Sequence, residues 1–130
     1  ELGILHYFVD LRPLARVVRQ LLRPGGRLIL QDFHPVSTKL ITSTGKKHKV
    51  TGNYFDTGLQ ETDVAYTKYL PEERRAELKK VRHRHWTLGE IVTAIAAAGL
   101  FVRSLDEEPN TKADDAGIPK TFTLVAERLG

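Results

Sequence analysis

Arg23-Pro24-Gly25-Gly26-Arg27-Leu28-Ile29-Leu30-Gln31-Asp32-Phe33-His34-Pro35 is the stretch on which the reading of the fold turns. Proline cannot continue a helix, and the paired glycines accept the positive φ that a tight turn demands. A helix therefore stops at Arg23. The short apolar run that follows, Arg27 to Phe33 with Leu28-Ile29-Leu30 at its centre, has the character of a strand buried on both faces.

Upstream, Asp10 is a plausible helix cap, Pro13 falls within the tolerated first turn, and Leu14, Val17, Val18, Leu21 and Leu22 recur at helical spacing. This predicts a helix over 11–22 with one core-directed face. Arg12, Arg16, Arg19 and Arg23 lie on the other face, a basic stripe expected to be solvated. Downstream, the pattern weakens from Val36 to about Leu70 into a Lys-, Thr- and Gly-rich stretch that includes Lys46-Lys47-His48-Lys49. Alternation returns at Val64, Tyr66, Tyr69 and Leu70, and the stretch as a whole reads as an insertion containing a short strand or hairpin. Pro71 to Lys80 could open as a polar helix. Val81, His83 and His85 alternate with Arg82, Arg84 and Trp86, which leaves helix or strand open.

Thr87-Leu88-Gly89-Glu90 has the spacing of a capping box, in which threonine and glutamate side chains satisfy free amides at a helix start. Leu88, Ile91, Val92 and Ile95 make the stripe of that helix, and Gly99 ends it. Leu100 to Leu105 reads as a strand, Asp106 to Pro119 as a polar loop, and Thr121 to Arg128 as a last strand with Phe122, Leu124 and Ala126 on one side.

A chain of 130 residues, 41% apolar and 28% charged, suffices for one domain of ordinary globular composition. Its apolar runs fall short of the roughly 18 to 20 residues of a spanning helix, and no leader of signal-peptide type is seen, so no membrane and a cytoplasmic location are expected. The absence of cysteine excludes disulfides, thiolate zinc sites and thiol nucleophiles, and the five histidines show no His-Glu-x-x-His spacing. No metal is expected. The net charge of +4 permits an anionic partner, but basic and acidic groups are mixed along the chain, as on a solvated surface.

Taken in order, the chain runs from a leading loop Gly3-Ile4-Leu5-His6-Tyr7 through a helix, Arg-Pro-Gly-Gly, and a strand ending in Asp32-Phe33-His34-Pro35. An insertion, a capped helix and two strands follow. Over nearly its whole length this resembles the second half of class I, Rossmann-like S-adenosylmethionine (SAM)-dependent methyltransferases of small bacterial type. His85-Trp86-Thr87-Leu88-Gly89-Glu90-Ile91 and Gly99-Leu100 add to the likeness. The resemblance implies an α/β fold holding strands five to seven of the methyltransferase sheet, the last antiparallel and inserted between the other two. Residues 1–130 would then be one partial domain, with 36–86 a substrate-side insertion or lid.

The same resemblance implies SAM as cofactor of the parent protein and methyl transfer to a small-molecule acceptor. The loop after strand four passes beside the methionine end of the cofactor in the family, which makes Gly3, Ile4, Leu5 and His6 the cofactor-side residues. The Gly-rich loop after strand one and the acidic residue ending strand two are missing from this sequence. With Glu1 opening the chain in mid-pattern, this predicts a truncated piece, inactive alone. The Asp/Asn-Pro-Pro-Tyr motif of enzymes that methylate amino groups of nucleic-acid bases is also absent, so a nucleic-acid acceptor is not expected.

Methyl transfer is an in-line displacement at a sulfonium, so alignment matters most, and a base is needed only when the acceptor must lose a proton. Open α/β sheets bind ligands beyond the C-terminal ends of their parallel strands, where Asp32 to Pro35 fall. His34 is therefore the first catalytic candidate, against the reading of a histidine held by a local hydrogen bond beside Pro35. Tyr54, His83, His85 and Trp86 are candidates for a substrate-pocket lid, against the reading of an exposed edge strand.

Two other functions fit the sequence. One is a basic nucleic-acid-binding module built on the arginine stripe and Lys46 to Lys49. The other is an assembly domain in which a second copy replaces the missing half. The unpaired edge of the Arg27 to Phe33 strand is a template for such pairing, so a homo-oligomer, or cover by the chain's own first residues, is expected.

Overall fold

Asp10 starts the first long helix in the computed structural model, which describes residues 4–44, 47–62, 81–111 and 117–130. Its carboxylate accepts the Arg12 backbone N–H at 3.0 Å, and the helix α1 (Leu11–Leu21) follows. A single 3-10 turn, Leu5–Tyr7, precedes it. Then come β1 (Arg27–Phe33), α2 (Pro35–Leu40), the hairpin β2 (Ile41–Thr44) and β3 (Lys47–Val50), and the paired β4 (Gln60–Thr62) and β5 (Val81–His83). Helix α3 (Leu88–Ala97) leads into β6 (Leu100–Pro109), and β7 (Pro119–Arg128) closes the chain.

The main sheet has the order β1-β7-β6, with β7 antiparallel to both neighbours. The last strand is thus inserted between two strands that run parallel to each other, as expected. The turn at Arg23 to Gly26 is tied to the end of β7: Gly25 N–H donates to Arg128 O at 2.6 Å, and Arg128 N–H donates to Gly26 O at 2.9 Å. Gly25 has φ 82°, which explains why glycine stands there.

Phe122, Leu124 and Ala126 are fully buried at the centre of the sheet. Against them pack Leu11 and Ala15 of α1, Ile91, Ala94 and Ile95 of α3, and Leu100. The capping box at α3 forms as its spacing requires, with Glu90 N–H on the Thr87 hydroxyl and Thr87 N–H on the Glu90 carboxylate, both at 3.0 Å.

Three expectations need correction. β1 is buried on one face only: Leu28 and Leu30 pack on the core, while Ile29 is 70% exposed and Phe33 is exposed too. α1 turns inward the row Leu11, Leu14, Ala15, Val18 and Leu22, so Val17 and Leu21, one row round, stay exposed, Leu21 by 80%. Its basic stripe is exposed at Arg12, Arg16 and Arg23, as expected, and within it Arg12 pairs with Asp10 at 2.9 Å while Arg19 donates to Gly130 O at 3.0 Å. The stretch from Asp106 to Pro119 is not all loop, because β6 runs on to Pro109 and β7 begins at Pro119. The acids there have partners: Glu108 accepts the Thr121 and Thr123 hydroxyls, each at 2.9 Å, and Glu107 meets His34.

Within 36–86 the expected hairpin is β2–β3, with Lys47, His48 and Lys49 on its second strand, and Val81–His83 is strand. The alternation at Val64, Tyr66, Tyr69 and Leu70 and the helix expected over Pro71 to Lys80 lie outside the described residues. Helix α2 was not expected. Proline suits a first helical position, and the His34 ring caps the turn by accepting the Val36 N–H. No helix among the described residues is long and apolar enough to cross a membrane.

Candidate functional site

β1 ends at Asp32 and Phe33 beneath the 3-10 turn, and the Leu5 N–H donates to the buried Asp32 carboxylate at 3.2 Å. That bond fixes where His6 stands. Arg84 N–H then donates to His6 O at 2.8 Å, and Trp86 Nε1–H donates to Phe8 O at 3.0 Å, so the segment leaving β5 is stitched alongside the turn. Three histidines from distant parts of the sequence meet as a result. The His6 ring lies 5.1 Å from His83 and 6.4 Å from His85, and Tyr7 lies 5.2 Å from His83.

A cleft of about 50 Å³ opens here, lined by Leu5, His6, Asp32, Arg84, His85 and Trp86 among others. It lies at the C-terminal end of β1, where open α/β sheets hold their ligands. Arg84 stacks on Trp86, 3.7 Å from guanidinium carbon to ring centre, and its NH2 group donates to Glu90 at 2.6 Å. Its Nε–H is buried with no hydrogen-bond partner among the described residues.

Burial is the largest influence on His6 and lowers its pKa from 6.5; the His83 charge adds to this and Asp32 opposes it. His85 is lowered too, first by burial and then by His6, Lys39 and His83. Both imidazoles are therefore held neutral at physiological pH, the form that accepts a proton.

The remaining sequence candidates divide between the cleft and other places. His34 lies buried beyond the end of β1. Its Nδ1 accepts the Val36 N–H at 3.1 Å, and its Nε2 stands 2.5 Å from Glu107 Oε2, which assigns the Nε2–H tautomer and leaves neither ring nitrogen open. Tyr54 uses its hydroxyl to accept the Leu88 N–H at 3.0 Å, at the start of α3. Leu5 lines the cleft with His6, Ile4 lines a separate apolar cavity with Leu11, Leu14 and Leu28, and Gly3 lies outside the described residues. Trp86 is buried and lines the cleft edge.

Sequence reading missed Asp32, Arg84 and Lys39. Arg84 and Lys39 look like ordinary surface cations in the sequence, and only the long-range bonds single them out.

No protein family and no curated protein matches this sequence. Solved structures do match in fold. An SAM-dependent methyltransferase from Mesorhizobium loti superposes with a TM-score of 0.69 at 22% identity, covering 98% of this chain and 59% of that one. A Listeria monocytogenes protein named for the same activity gives 0.68 at 17% identity, with 98% and 58% covered. The chain thus spans under three-fifths of their length, and the fold it adopts over that span is that of part of an SAM-dependent methyltransferase.

Proposed function

We propose that this chain supplies the acceptor-side wall of an SAM-dependent methyl-transfer site acting on a small molecule. The observation that carries this reading is the cleft at the end of β1, where His6 and His85 face each other beside Asp32, Arg84 and Trp86.

The residues present do not make a complete site for the cofactor. The backbone of the 3-10 turn is already engaged: Leu5 N–H is on Asp32, Tyr7 N–H on Ile4 O, and His6 O on Arg84. The sequence holds no Gly-x-Gly loop at a strand-to-helix junction. Ile4, Leu5 and His6 therefore serve only as neighbours of the cofactor.

What the chain contributes is alignment and a place for a proton. Trp86 offers an apolar wall, and the unmet Arg84 Nε–H offers a donor to an oxygen of the acceptor. A neutral His6 or His85 takes the proton that a hydroxyl or amine must lose. At about 50 Å³ the cleft holds only a few water molecules.

Transfer from isotopically labelled SAM to phenols, amines and carboxylic acids, by the protein that carries this chain, tests the reading. His85→Gln should lower kcat and leave the cofactor Kd unchanged. A variant whose rate matches the original across the histidine titration range would remove His85 as the proposed base.

A further inference from the structure

Lys39 is the one lysine or arginine that is buried among the described residues. It stands in the last turn of α2, and its ammonium donates to Asp56 O and to His85 O, each at 2.7 Å. These carbonyls belong to separate segments, one in the loop after β3 and one in the stretch between β5 and α3. A buried ammonium is costly unless its protons are accepted, and short charge-assisted bonds to carbonyls meet that need. One side chain therefore joins three parts of the lid region.

The geometry points to Lys39 as a positioning residue: we infer that it clamps the Asp56 loop and the His85 segment to α2, so that the His85 ring is held facing His6 over the end of β1. Its importance for chemistry rests on the reading of His85 given above. The clamp also sets charge. The groups facing His85 are His6 from the 3-10 turn, His83 from β5 and Lys39 from α2; burial is the largest influence on Lys39 and opposes its charge, Glu90 and Asp56 favour that charge, and Arg84 opposes it. A fixed cation at this place disfavours a second positive charge on the imidazole.

Because α2 is capped by His34, which in turn meets Glu107 on β6, the clamp is anchored to the sheet and not to another loop. A short helix thereby carries the position of the lid back to the core.

Histidine-ring NMR titrations of the protein and of its Lys39→Met and Lys39→Arg variants, with no methyl donor present, test the inference. Lys39→Met should raise the His85 midpoint toward the ordinary imidazole range, and Lys39→Arg, which keeps the charge, should return it. Equal midpoints in all three proteins, with Phe122 and Leu124 resonances unchanged, would overturn the clamp. If the methionine variant does not fold, the unsubstituted protein decides: a Lys39 ammonium protected from solvent exchange supports the clamp, and one exchanging like surface lysines overturns it. Failure of either readout leaves the methyl-transfer reading standing, since neither uses the cofactor.

Discussion

His34 Nε2 stands 2.5 Å from Glu107 Oε2, so that a side chain beyond the end of β1 meets one on β6 although β7 lies between the two strands. The Phe122 ring is edge-on to the imidazole at 6.3 Å. With both nitrogens engaged, His34 holds α2 and the sheet together and is not free to take a proton from an acceptor. His34→Ala should cost about 1 to 3 kcal/mol of stability by urea denaturation, the cost of leaving buried partners unmet. The pH profile of the remaining methyl transfer should keep its shape. A shifted profile at unchanged stability would restore His34 as the base.

Acid should weaken the fold in a defined window. His6 and His85 have folded pKa values below 6.5, so just under that pH the unfolded chain binds protons that the folded one refuses. Their contribution is full above 6.5 and falls as the pH drops from there through the folded midpoints. Asp10, lowered to about 2 by its hydrogen bonds to Arg12, loses its cap only at far lower pH. Urea midpoints should therefore decline on acidification below 6.5, and a His6→Gln, His85→Gln double variant should flatten that decline. An equal decline in the double variant would assign it to other groups.

The sheet has unequal faces, and substitutions should report this. Leu124 is fully buried, so Leu124→Ala should cost about 2 to 5 kcal/mol. Ile29 is 70% exposed, and Ile29→Ala should lie within about 0.5 kcal/mol of the original protein. A large loss at Ile29 in the isolated chain would mean that something covers the outer face of β1.

Much of the fold was legible because local chemistry specifies it. Asp10, Arg23-Pro24-Gly25-Gly26, the Thr87 and Glu90 box and Gly99 each satisfy or break backbone hydrogen bonds within a few residues, and they bound α1, β1 and α3 correctly. Helix α2 was not legible, since Val36-Ser37-Thr38-Lys39 has no apolar repeat and its cap is a histidine. The far half of β6 was hidden because Glu107 and Glu108 find partners only across the sheet. The site was legible in part: His83 and His85 show their alternation, but the bond from Arg84 N–H to His6 O that brings them to His6 spans 78 residues of sequence. No local pattern reports such a bond.

Titration of SAM into the 130-residue chain, followed by calorimetry and amide NMR, tests most directly whether an acceptor-side wall stands here without the cofactor grip. The predicted result is no saturable binding in the micromolar range, with amide shifts at millimolar cofactor confined to Ile4, Leu5, His6 and the end of β1. Saturable micromolar binding, or a footprint centred on Arg12 and Arg16 of α1, would contradict it.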